Sequence, residues 1–133
     1  MHANPIRIVA ISLLAVAISA CASTQFDPQR QCSTPPVSLP HGADKPTLAY
    51  GAVPAMPAEA MKNQTPGLVD LLIDICADGS VANVRVVGGM NVALYERAAV
   101  NAMLESRFNP VQLNGEPVAV RDIERDYTFE FEF

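Results

Sequence analysis

Two runs of strict alternation constrain this chain more than any other feature of its sequence. From Val69 onward, Val69, Leu71, Ile73 and Ile75 fall on one side, with Leu68, Asp70, Leu72, Asp74 and Cys76 on the other. At the far end, Tyr127, Phe129, Phe131 and Phe133 alternate with Thr128, Glu130 and Glu132. Side chains of an extended strand point to opposite faces in turn, so this period of two specifies half-buried strands and excludes helix. Asp78-Gly79 follows the first run as a two-residue hairpin turn, and Ser80 to Val87 supplies the return strand. Val81, Val84 and Val86 can all face inward only if a bulge falls near Ala82-Asn83. The parity of Val118 and Val120 opposes that of the terminal aromatics, so a second irregularity is expected between Arg121 and Asp126. The aromatics themselves read as core.

Between the strands the period changes. Asn91 can cap a helix running from about Val92 to Arg107, because its short side chain can accept from first-turn amides. Tyr95, Ala98, Ala99, Ala102, Met103 and Ser106 recur at three- and four-residue spacing, a narrow face of mostly small residues suited to lying close on a sheet. Pro110 forbids continuation, and Asn114-Gly115 marks a turn before the last segment, Pro117 to Phe133. The expected fold is α+β, a three-stranded antiparallel sheet in ββαβ order packed by one helix, after a short helical turn. The last strand pairs with the first and is left at an edge.

The amino-terminal part has a different character. Half of the 133 residues are apolar, and 14 of them lie in the first 20. Arg7, the run Ile8–Ile18 and the small residues Ser19 and Ala20 have the layout of a secretory signal. About 11 apolar residues fall short of the roughly 20 that span a bilayer as a helix. Ile18-Ser19-Ala20-Cys21 resembles a bacterial lipobox, which implies cleavage before Cys21 and its lipidation, with Ala22 favouring the outer membrane. An ordinary signal cleaved nearby is the other reading. Eight of the eleven prolines fall between Pro28 and Pro66. The expected organisation is a signal peptide over 1–20, a proline-rich extended linker over 21–53, and a folded domain over 54–133.

With Cys21 set aside, Cys32 and Cys76 form an even pair, which in an oxidising compartment predicts a disulfide. Such a bond would leave only the residues from Cys21 to Cys32 as a free leash, about 35 Å at most.

Several function classes are disfavoured by the same inventory. A net charge of -5 with nine basic residues provides no cationic stripe for nucleic acid. His41 is the one histidine after the signal-like segment, and no C-x-x-C or H-E-x-x-H spacing occurs, so no metal or other cofactor is expected. No G-x-S-x-G, no P-loop and no cysteine with a partner histidine is present. Asp70 and Asp74, about 13 Å apart along one strand face, are too far separated to act on one bond. The chain is not expected to be an enzyme.

Five short motifs, in order, resemble the TonB carboxy-terminal domain. Pro54-Ala55-Met56-Pro57-Ala58-Glu59-Ala60 is similar to the family's P-x-Y-P-x-x-A, with Met56 in place of tyrosine. Gly67 to Val81 follows its hairpin pattern, with Cys76 at an acidic position. Tyr95 to Val100 resembles L-D-x-A-A-L, Arg107-Phe108-Asn109-Pro110 resembles R-F-x-P, and Asn114-Gly115-Glu116-Pro117-Val118 matches N-G-x-P-V. The resemblance implies a periplasmic domain that binds an extended peptide of a partner, such as an outer-membrane transporter or another envelope protein, along an edge strand. Unpaired edge amides and carbonyls suit that role physically. The implied edge is the last strand, with Val118, Val120, Asp122, Glu124, Asp126, Thr128, Glu130 and Glu132. Its acidic strip favours a neutral or basic peptide, although the charges could equally serve to prevent edge-to-edge aggregation. The family's energy transducers have a long inner-membrane anchor and a long spacer; here the apolar run is short. Three uses of the domain therefore stand open: a lipid-anchored binding module, a short transducer with an uncleaved inner-membrane anchor supporting transmembrane transport, and a structural envelope protein dimerising through edge strands.

Overall fold

The computed structural model describes residues 27–132; the apolar run, Cys21 and Phe133 lie outside the described residues. In chain order the elements are β1 (Val37–Ser38), β2 (Leu48–Tyr50), α1 (Ala58–Asn63), β3 (Gly67–Ile75), β4 (Val81–Met90), α2 (Val92–Glu105), β5 (Arg107–Phe108), β6 (Val111–Leu113), β7 (Glu116–Val118) and β8 (Val120–Phe129). The main sheet has the order β1-β8-β3-β4, and β2-β5 and β6-β7 form two small ribbons. The long strands β3, β4 and β8 with α2 are the expected ββαβ layer, and β8 pairs antiparallel with β3. Among the described residues no helix is long and apolar enough to cross a membrane.

The period-two pattern has the expected outcome. Val69, Leu71, Ile73 and Ile75 are almost completely buried against Tyr95, Ala99 and Met103 of α2, with Val81, Val120 and Phe129 from the flanking strands. Each large aliphatic side chain removed from water contributes about 1.5–3 kcal/mol. Tyr95 is the centre of this core. Its ring stacks on Phe129 with centroids 4.0 Å apart, and its hydroxyl donates to the Thr65 carbonyl. The ring also lies so close to Gly67 that a Cβ there would fall 2.2 Å from its Cδ2, so glycine is required at the start of β3.

Both expected irregularities occur, and they flank one buried carboxylate. In β4, Asn83 takes a left-handed conformation (φ 46°) where the pairing steps from Leu72↔Arg85 to Asp74↔Ala82. In β8, Asp122 does the same (φ 57°) between Ile123 and Val120. Asn and Asp adopt this conformation at least cost among residues with a side chain. Asp74, only 4% exposed, accepts from Asn83 Nδ2, Arg85 Nη2 and the Asp122 amide, each at 3.2 Å. It thereby joins two bulges on opposite sides of β3. Hydrogen bonds to a charged group contribute about 1.5–3 kcal/mol each, and a buried group that loses its partners is costly. Asp74→Asn should lower the unfolding free energy by about 2 kcal/mol in urea denaturation; a change below about 0.5 kcal/mol would show that the bulges hold themselves.

Other local expectations need correction. The β3–β4 connection has three residues, Ala77-Asp78-Gly79, because the Gly79 amide bonds to the Cys76 carbonyl and Gly79 takes φ 86°. That is a turn closed by a glycine bulge rather than a two-residue hairpin. Asn91 stands at the N-cap position of α2 as expected, but its side chain accepts from no first-turn amide; it is left-handed (φ 52°), and its side-chain amide donates to the Pro66 carbonyl, fixing the β4–α2 corner. The helix ends at Glu105, since Ser106 is extended and folds its hydroxyl back to the Ala102 carbonyl. The last segment is two strands, with Val118 in the β6–β7 ribbon opposite Val111.

The proline-rich stretch differs most from expectation. From residue 27 to 53 it is fastened to the domain instead of extending away. The Arg30 and Pro28 carbonyls accept from the Asn83 and Val84 amides that the β4 bulge turns outward. Cys32 is disulfide-bonded to Cys76 with Cα atoms 5.2 Å apart. β1 then lies parallel to the start of β8, and β2 pairs with β5. Asn109 donates to the Thr47 carbonyl, and the Ala52 amide donates to Ser106 Oγ. The stretch is a strap around the hairpin end of the sheet.

Candidate partner-binding edge

The strap and the bulges decide which part of β8 is an edge. Val120 is fully buried and paired on both sides, to Ile75 and to Val37. It offers no free backbone, which corrects its expected place on the edge. Val118 belongs to another ribbon, and Glu130 and Glu132 lie beyond the end of β8. Asp122 is at the bulge and forms an ion pair with Arg85 at 2.9 Å. The edge left uncovered is Ile123–Phe129, seven residues paired to β3 on one side and to no described strand on the other.

Three of the anticipated residues, Glu124, Asp126 and Thr128, stand exposed on this segment. They face away from the helix, opposite Leu72, Asp70 and Leu68 of β3. Asp70 is therefore directly across from Asp126, a like-charge pairing that is unfavourable in a sheet. Among the described residues the ion pairs are Arg85–Asp74 and Arg85–Asp122, so Asp70, Glu124 and Asp126 make none, although Lys45, Arg121 and Arg125 line the same groove. The opposite face of the same strand is built differently. Ile123, Tyr127 and Phe129 turn toward the core, and the Arg125 guanidinium lies 5.3 Å from the centre of the Phe108 ring. Phe129 is buried and Tyr127 and Phe131 are partly buried, in line with a core role.

A groove runs beside this edge, walled by Ser38, Leu39, Lys45 and Pro46 of the strap and floored by Asp70, Leu72 and Val87. The strap's part in it had only a faint sequence signal, the short alternation Val37-Ser38-Leu39 between prolines. The second sheet edge, β4, is closed at Asn83–Val84 by the strap and carries exposed Val87 and Met90 further along. Chemically, the arrangement can hydrogen-bond an extended backbone and attract positive charge.

The family model described as "Gram-negative bacterial TonB protein C-terminal" matches residues 52–132. Solved structures with a similar fold include the TonB carboxy-terminal domain of Pseudomonas aeruginosa in solution. That likeness has 24% identity and a TM-score of 0.58, and covers 70% of this chain and 93% of the other. A second is the TonB2 protein of Vibrio anguillarum, with 20% identity and a TM-score of 0.52, over 79% of this chain and 99% of the other. No curated protein matches the chain.

Proposed function

The chain belongs to the TonB carboxy-terminal domain family, and on that premise we propose that it is a non-enzymatic module of the cell envelope that binds an extended segment of a partner protein by strand addition to Ile123–Phe129. The observation that carries this reading is the stretch Ile123–Phe129 of β8, paired to β3 on one side and to no described strand on the other, with the exposed Glu124 and Asp126 beside it. The partner class that the family suggests is the periplasm-facing segment of an outer-membrane transporter. Main-chain hydrogen bonds supply affinity, and the acidic face beside the edge selects neutral or basic sequences.

The electrostatic part of the reading has its own test. The double substitution Glu124→Lys and Asp126→Lys should weaken binding of synthetic peptides copying such transporter segments by about tenfold at low salt, or about 1.4 kcal/mol. Isothermal titration against the parent chain measures it. Equal affinities would remove the acidic face from the account.

The anchor is a separate proposal. Cleavage before Cys21 with lipidation is supported by the Ile18–Cys21 sequence and by the short apolar run. Because Pro28 is already hydrogen-bonded to β4, the tether would be the seven residues from Cys21 to Pro28, about 25 Å at most. A domain on so short a tether works beside the membrane that holds it. Intact mass of the membrane-extracted protein should equal the chain from Cys21 plus acyl chains; a full-length mass would favour the uncleaved, transducer form.

A further inference from the structure

The strap's position on β8 carries a consequence for how the edge is used. β1 occupies the place of an added strand. It runs parallel to β8 with Val37 beside Val120 and Ser38 beside Arg121, the Val37 amide donating to the Ala119 carbonyl at 2.9 Å. Arg121 Nε adds a bond to Ser38 Oγ at 3.1 Å. Beyond β1, Leu39, Lys45 and Pro46 line the far wall of the groove whose near wall is Arg121–Asp126. Ile123–Phe129 pairs with no part of the strap.

This occupant is built to hold weakly. It pairs through two residues, and Val37 remains 46% exposed. Pro35, Pro36 and Pro40 lack the amides that would lengthen the pairing or recruit another strand on the outer side. Its two ends are nonetheless fixed, by the Cys32–Cys76 disulfide before it and by the Thr47–Asn109 bond and β2 after it. A short loop pinned at both ends can lift from the edge without leaving it, and it reseats at high effective concentration. Residues 27–51 lie before the region that the family model matches.

We propose that residues 33–46 are an internal pseudo-ligand, which in the free protein occupies Val120–Arg121, the amino-terminal continuation of the strand-addition edge, and is displaced when a bound partner segment extends its pairing past Ile123. The inference rests on the edge reading given above. Its consequence is an affinity lowered by the fraction of time that the strap is lifted, a reduction that releasing the strap removes.

Val37→Pro deletes the amide that bonds to Ala119 and is made at an exposed position, so it should free the strap while leaving the core intact. A melting temperature within a few degrees of the parent verifies this. With the full chain in detergent micelles and synthetic peptides copying transporter segments as probe, Val37→Pro should bind about tenfold more tightly, the gain for a strap seated nine-tenths of the time. Ser38→Ala, which keeps the backbone pairing, should move affinity far less. Equal affinity of parent and Val37→Pro would overturn the pseudo-ligand while leaving the edge reading intact. Absence of binding by either protein would overturn both.

Discussion

Replacing Cys32 and Cys76 by alanine should lower the unfolding free energy by about 4 kcal/mol, the loop-closure value for cysteines 44 residues apart. Domains of this size have about 5–15 kcal/mol in total, so the loss removes a large part of the margin. A sheet with one covering helix buries little surface, and the bond compensates by restricting the unfolded chain. It also has a local effect. Without it, the strap from Ser33 to Pro46 is held at its amino-terminal side by the Pro28 and Arg30 carbonyls and by the Arg30 guanidinium, which donates to Ser80 Oγ. Urea denaturation of the oxidised parent and the double variant measures the difference. A loss under about 1 kcal/mol would mean that the strap's other contacts already restrict the unfolded chain.

Tyr95→Ala should be of similar size, about 3–5 kcal/mol, because it empties the space between Gly67, Phe129 and the helix. Tyr95→Phe separates the two contributions of the side chain. It keeps the stack on Phe129 and loses only the bond to the Thr65 carbonyl, for about 1 kcal/mol. Thermal denaturation of the pair should give a wide gap between them. If the two variants melted together, the hydroxyl, not the ring, would be the stabilising group.

Much of the architecture was legible because its determinants are local. Alternation over Val69–Ile75 forces a strand whatever surrounds it, and the conflicting parity of Val120 and Tyr127 demanded the irregularity found at Asp122. The Cys32–Cys76 pair was legible by counting. The N-cap position of Asn91 was legible and its side-chain bond was not, for a physical reason: the residue types that cap helices also tolerate left-handed backbone, and here the side-chain amide donates to the Pro66 carbonyl. The strap was illegible because proline-rich composition specifies only an irregular segment. Its course is set by partners remote in sequence, namely two amides released by a bulge, a cysteine in β3's continuation, and Ser106. The binding edge was legible as a strand and not as an extent. Its acidic residues at 124 and 126 and Thr128 are where the alternation places them, whereas the loss of Val118 and Val120 to other pairings follows from tertiary contacts alone.

The most direct test of the strand-addition account is amide shift mapping of the ¹⁵N-labelled chain, titrated with a peptide copying a transporter's periplasm-facing segment. The account predicts perturbations centred on Ile123–Phe129, with further changes at Val37–Ser38 as the strap lifts. Perturbations confined to the β4 edge at Arg85–Met90 or to the outer face of α2, with β8 silent, would contradict it.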